Sequence, residues 1–291
     1  MPDMKQYLER IKYTSEVKND ASTLSKLCEH HREFIPFDNL DMFGGQRKYL
    51  DFDKVYNDLV VKKRGGFCYE QNGLFKWALV ECGFQVRMVQ CQVYFNEEIG
   101  FGPRFDHLAL LVTCGDGSKW LADVGFGGGS FTTPLKLETE IEQTQNSGIY
   151  RLQTLNENEY VLQKLKKTVI QLDEGTTKTA ITGKEWKTVF KFDNVSRKWE
   201  DFKEMFDYQQ DNENSFMISN TLCTRQSEFG YVVLWGWFAF EKTFVDPVTE
   251  KFKWKYTAKD QKELKEILKK HFQLEIDFDV TPVANYKDKL F

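Results

Sequence analysis

No run of roughly 18 consecutive apolar residues, the minimum for a membrane-spanning helix, occurs in this chain. The N-terminal Met1-Pro2-Asp3-Met4-Lys5 has no apolar core and no small-residue cleavage site, so neither secretion nor membrane attachment is expected. Histidine is scarce, at four residues, and no CxxC pair stands among the six cysteines. A dense disulfide framework is therefore excluded, and the cysteines read as reduced, mostly buried thiols of a cytoplasmic protein. Positive charge is not in excess: the net charge is −4 and no basic stripe alternates with aromatics. Nucleic acid is thus not expected as a partner. The lysine clusters at 164–167 and 262–270 have acids beside them and read as solvated faces.

What is present is a globular composition, with 15% aromatic and 29% charged residues. The first third has helical periodicity. Leu8 and Ile11 close a short first helix; Leu24, Leu27 and Cys28 mark residues 22–34; Val55, Leu59 and Val60 mark 53–63 behind a cap at Asp51 or Asp53. Leu74, Phe75, Ala78, Leu79 and Cys82 form the stripe of a helix beginning near Cys68 and ended by Gly83. From residue 84 the period becomes two, and strands are predicted at 84–95, 107–113, 119–124, 149–154, 159–165 and 186–192. Six short strands in series predict a small barrel or a strongly curled sheet. Residues 173–183 read as an insertion or long hairpin. Beyond them, 198–208 predicts a helix, 231–240 and 251–256 strands, and 258–272 a patterned helix. The expected class is α+β, with a helical domain at 1–83, a β-barrel domain at 84–196 and an α/β lid at 197–291.

Candidate chemistry starts at Arg64-Gly65-Gly66-Phe67-Cys68. Two glycines permit a tight turn, and Cys68 then meets the unpaired N–H groups and positive end of a helix, which favours thiolate. His107 opens a strand after the loop 100–106. Asp123 is an aspartate in an otherwise apolar strand, where a carboxylate needs partners. A hairpin turn at Gly115-Asp116-Gly117 sets residues near 107–108 opposite residues near 123–124, bringing His107 and Asp123 within side-chain reach. Nucleophile, base and orienting acid follow in the order of papain-like and transglutaminase-like catalytic cores, by analogy. His30 and His31 are helix neighbours expected to be partly solvated, and with Cys28 they lack the second ligand pair that a metal needs. His271, in a last helical turn, suits the helix dipole. The run Gly125-Phe126-Gly127-Gly128-Gly129 is no dinucleotide or P-loop fingerprint. It reads as a loop whose N–H groups can meet a pyrophosphate or an oxyanion, or as an ordinary flexible turn.

At these residues the chain resembles the arylamine N-acetyltransferase family of animal type. Arg64-Gly65-Gly66-Phe67-Cys68-Tyr69-Glu70-Gln71-Asn72 matches the family's RGGxC motif, and Pro36-Phe37-Asp38-Asn39-Leu40 is similar to its PFENL segment. His107-Leu108-Ala109-Leu110 and Asp123-Val124-Gly125-Phe126-Gly127 match its histidine and aspartate motifs. The resemblance implies acetyl-coenzyme A as donor, no metal, and arylamines, hydrazines or N-hydroxyarylamines as acceptors. It implies triad roles for Cys68, His107 and Asp123, acceptor contacts at Phe37, Val93, Asp106 and Phe126, and coenzyme A contacts at Pro103, Arg104 and Tyr208. Asp106 departs from the family's apolar residue, and residues 207–216 lack its Ser/Thr-rich run. Residues 164–185 are similar to the interdomain insertion of animal enzymes. Gly128 and Gly129 predict a roomy acceptor pocket. Partners are expected to be small molecules, with the protein a monomer. Two other readings share the triad: a cysteine hydrolase or transglutaminase-like enzyme, and a non-catalytic binder of arylamine or coenzyme.

Overall fold

The computed structural model describes residues 2–170 and 185–284. The predicted insertion at 173–183 lies outside the described residues. At the N-terminal end, Ala21–Phe34 is capped by Asp20, whose side chain accepts from Thr23 N–H at 2.7 Å. Asp51 caps Phe52–Tyr56 in the same way, and the chain continues through a widened turn to Val61 with Val55, Leu59 and Val60 buried. These helices pack around Cys68–Glu81, whose first eight residues are all buried. Gly83, at φ +85°, ends that helix in the left-handed conformation that glycine adopts without strain.

The six predicted barrel strands all form, within a nine-stranded sheet. Its order is Leu135–Lys136, Lys119–Ala122, His107–Thr113, Gln85–Asn96, Trp186–Asp193, Glu159–Leu165, Gly148–Asn156 and Gln143–Gln145, with Gly100–Phe101 paired onto Gln85–Asn96. The two edges meet through side chains: Gln143 accepts from Lys136 N–H at 2.7 Å and donates to Lys136 C=O at 3.0 Å, and Gln145 donates to Thr133 C=O at 2.7 Å. An edge that would otherwise leave backbone groups unpaired is thereby nearly closed. Val89, Ala109, Leu121, Leu152, Leu162 and Phe190 fill the interior.

The C-terminal part is a six-stranded sheet under a helix. Its order is Phe37–Asp38, Leu222–Ser227, Gly230–Trp235, Phe238–Asp246, Thr249–Thr257 and Thr168–Ile170. Leu264, Leu268 and Phe272 of the last helix pack on Val232, Leu234 and Ala239. One strand was expected over 231–240, but there are two, because Gly236 at φ +58° turns the chain and Trp235 pairs back onto Phe238. Leu222–Ser227 was not expected as a strand at all; its polar Thr224 and Gln226 are buried against neighbouring segments.

Two further expectations fail on burial. His31 is fully buried, not partly solvated, held between Tyr7 Oη at 2.8 Å and Gln71 Oε1 at 2.7 Å. Lys164 and Lys167 are not a solvated face: both line a cavity between barrel and C-terminal sheet, and the Lys167 side chain is only 6% exposed.

Candidate active site

Cys68 is the first residue of its helix, after an extended Phe67 at φ −98° and ψ −175°. Phe67 N–H, orphaned by the helix start, donates to Glu70 Oε2 at 3.1 Å. Glu70 is itself buried and faces Lys48 Nζ at 3.2 Å. The two glycines before Cys68 serve close approach, not the positive φ that a tight turn would use. A Cβ at Gly65 would run into the Pro36 carbonyl and the Asp38 carboxylate, so the loop can lie against the 36–38 segment only without a side chain.

His107 begins its strand and Asp123 follows directly after Lys119–Ala122. The ladder pairs Leu110 with Ala122 and Thr113 with Lys119, and continuing it sets Leu108 level with Val124. His107 and Asp123 are then diagonal neighbours, and His107 Nε2 lies 2.7 Å from Asp123 Oδ2. With Nε2 engaged, Nδ1 is the ring nitrogen left to receive a proton. Asp123 Oδ1 accepts from Asn72 Nδ2 at 2.9 Å and from Gly125 N–H at 2.8 Å. Asn72 also donates to Leu108 C=O at 2.8 Å and accepts from Val124 N–H at 3.0 Å. One turn beyond Cys68, it ties helix, histidine strand and aspartate loop together. Arg32 donates to Asp123 C=O at 2.8 Å and to Gly127 C=O at 3.0 Å. The spacing of Asn72 to Cys68 carries a signal of shared helix face, whereas nothing in the sequence marks Arg32.

Burial alone would raise the Asp123 carboxyl, but the His107 charge and hydrogen bond, with the donors of Asn72 and Gly125, outweigh it and hold it below the usual carboxylate range. Cys68 goes the other way. Burial first, then the charges of Asp123 and Asp106, push the thiol well above its ordinary value, while the N–H groups of Leu108 and Tyr69 pull it down less. The shift at Cys68 thus runs opposite to the one a helix start alone would give: burial opposes the thiolate more than one helix end favours it. Asp106 is pushed up to about 7 by burial, against the Val93 N–H donor at 3.0 Å and the His107 charge.

Cys68 and His107 open into one cavity of about 150 Å³. Phe37, Val93, Asp106 and Phe126 all line it. Phe126 stands edge-on to the His107 ring, with centroids 5.2 Å apart. Pro103, Arg104 and Tyr208 do not line it; Arg104 is exposed and reaches Asp193. Phe216, Met217, Leu222 and Thr224 complete the wall from the C-terminal part, a contribution that no local sequence pattern announced. The cavity over Cys68 is itself small, and the space beside Gly128 and Gly129 belongs to a larger neighbouring cavity that shares Phe126 and Gly128 with it; a Cβ at Gly128 would meet Tyr231 at 3.2 Å and Val233 at 3.3 Å. Among the described residues, no group of three or more His, Cys, Asp or Glu side chains is placed to hold a metal ion, and no helix is long and apolar enough to cross a membrane.

A family profile described as N-acetyltransferase matches residues 20–281. A pineal-gland arylamine N-acetyltransferase isozyme of Gallus gallus is 30% identical over 302 residues, covering 99% of this chain and all of its own. Arylamine N-acetyltransferase 1 of Bos taurus is 30% identical over 300 residues, covering 99% of each. The Mycobacterium marinum arylamine N-acetyltransferase solved in complex with CoA superposes with a TM-score of 0.78 at 25% identity, over 94% of this chain and 93% of that one. Likeness that runs from end to end in sequence and again in fold makes this chain a member of the arylamine N-acetyltransferase family.

Proposed function

We propose that this protein transfers the acetyl group of acetyl-coenzyme A to the nitrogen of arylamines and hydrazines, and to the oxygen of N-hydroxyarylamines, through an acetyl-cysteine on Cys68. The observation that carries the reading is the shared cavity of Cys68 and His107, with His107 Nε2 held by Asp123 at 2.7 Å. Asp123 fixes the ring so that Nδ1 takes the thiol proton as Cys68 Sγ attacks the thioester carbonyl. Backbone N–H groups of residues lining the cavity, those of Cys68 and Phe126, receive the developing oxyanion. His107 then returns the proton to the departing thiolate. In the second half, the amine enters against Phe126 and Val93, attacks the acetyl-cysteine, and gives its proton to His107.

The cavity also weighs against the hydrolase reading. Its volume of about 150 Å³ under Phe216 and Met217 suits an acyl group and one ring, not an extended peptide. The reading further places the protein in the cytoplasm, as a monomer acting on foreign amines; six unbridged cysteines are consistent with a reducing compartment. Incubation with acetyl-coenzyme A should add one acetyl mass to the intact wild-type protein and none to Cys68→Ala. A stable acetyl adduct on the variant would overturn the assignment.

A further inference from the structure

A second cavity of about 360 Å³ shares Val93, Phe95, Phe126 and Gly128 with the one over Cys68. Lys164, Lys166, Lys167 and Lys187 line it, and among the described residues Glu250 is the one carboxylate in its wall. That carboxylate is already taken: Glu250 Oε1 accepts from Lys242 Nζ at 2.7 Å and from Tyr231 Oη at 3.0 Å. Lys164 donates to Gly129 C=O, which satisfies a hydrogen but neutralises no charge. Lys166 pairs with Glu185 near the surface. Lys167 has no hydrogen-bond partner among the described residues although its side chain is 6% exposed. Its nearest carboxylate oxygen, on Glu250, is 3.9 Å away, and its ammonium otherwise faces the Phe244 ring at 4.3 Å from the centroid. Exposed Asp246 adds only a distant field.

Among the described residues, Lys164, Lys167 and Lys242, buried or half-buried, thus share the Glu250 carboxylate. An uncompensated buried charge is costly, and such a position is retained where a ligand supplies the missing sign. Burial, then the neighbouring lysines, push Lys164 down to about 7, and burial pushes Lys167 down to about 8, as expected where an anion is lacking. Several ammonium groups call for an anion with several oxygens, since a single carboxylate would leave most of them unmet.

We propose that this cavity is a binding site for a diphosphate-type anion, held by Lys164 and Lys167 with Lys187 at its mouth. Two sources share that chemistry. One is the phosphate portion of the thioester donor, which reaches Cys68 across the shared wall; this arm rests on the function proposed above. The other is a free polyphosphate bound independently of the donor.

Thermal unfolding tests the site without reference to activity. Inorganic diphosphate, at fixed ionic strength against a chloride control, should raise the melting temperature of the wild type and leave that of Lys167→Met unchanged. Without anion, Lys167→Met should melt no lower than the wild type, since it removes a buried charge that has no hydrogen bond and only a long, shared contact with Glu250, and keeps the stem; Lys164→Met serves as the second variant. The proposal is overturned by an absent shift in the wild type, or by an equal shift in all three proteins. Kinetics separate the sources. If the donor is bound here, Lys167→Met raises KM for acetyl-coenzyme A roughly tenfold, the loss of one charge-assisted contact, and leaves KM for S-acetylpantetheine, which lacks phosphates, unchanged. An unchanged KM for both donors with the diphosphate shift intact assigns the site to a free polyphosphate. Failure of the acetyl-transfer reading itself would show as no acetylated Cys68 with either donor, and would leave the thermal result standing.

Discussion

Replacing Asp123 with asparagine should leave the fold in place and remove most of the acetylation rate. Asp123 Oδ1 accepts from Asn72 at 2.9 Å and Gly125 N–H at 2.8 Å, and only a carbonyl oxygen can stay there. The new amide nitrogen must therefore occupy the Oδ2 position, 2.7 Å from His107 Nε2. An amide donates, so Nε2 has to accept, and the ring proton moves to Nδ1. That is the atom required to take the proton of Cys68, whose thiolate burial disfavours. The wrong tautomer in a triad of this logic costs up to about 10⁴-fold in rate, or ~5 kcal/mol on the barrier. The stability cost is smaller: one charge-assisted hydrogen bond becomes a neutral one, on the order of 1 kcal/mol. Rapid-quench mass spectrometry of acetyl-enzyme formation measures the first quantity and thermal unfolding the second. A rate within tenfold of the wild type, with folding unchanged, would refute the argument that Asp123 sets the histidine proton.

The two remaining predictions concern protons bound by the folded chain. Asp106 is pushed up to about 7 by burial, so between the ordinary carboxylate value and 7 the folded state binds a proton that the unfolded state has released. Its share of stability is therefore full in acid and lost as pH rises through 7; Asp106→Asn, which still accepts from Val93 N–H, should gain up to about 4 kcal/mol over the wild type at pH 8 and clearly less at pH 5. Urea unfolding at both pH values checks this, and an equal difference at the two would contradict it. His31 is pushed down to about 3, chiefly by burial, so the unfolded state binds the extra proton below ~6.5 and about 2 kcal/mol is lost on acidification to pH 5. The His31 ring resonances should stay in the neutral form from pH 8 to pH 5, and a charged form appearing in the folded protein within that range would refute the prediction.

Much of the architecture can be read locally because it rests on local physics. The helix from Cys68 is announced by its apolar stripe and its terminal glycine, and the barrel strands by alternation between turn residues. The His107–Asp123 pairing needs only a tight turn and a ladder, both short-range. The strand over 231–240 was misread because an apolar run containing Gly236 scores alike as one strand or two; the answer depends on whether Trp235 and Phe238 have each other as partners. Leu222–Ser227 escaped notice because its buried polar residues break the alternation. Gln226 is satisfied by Arg32 and by Ser130 C=O, groups far away in the chain.

The reactive groups and the elements that carry them are legible in local pattern: a cysteine at a helix start, a histidine at a strand start, and an aspartate after a hairpin. How those groups behave depends on packing between distant segments. The upward shift of the Cys68 thiol, the thin compensation of Lys167 and the neutrality of His31 all follow from how much water is excluded and which distant residues take its place. Solvent exclusion is a property of packing between segments, and no single segment contains it.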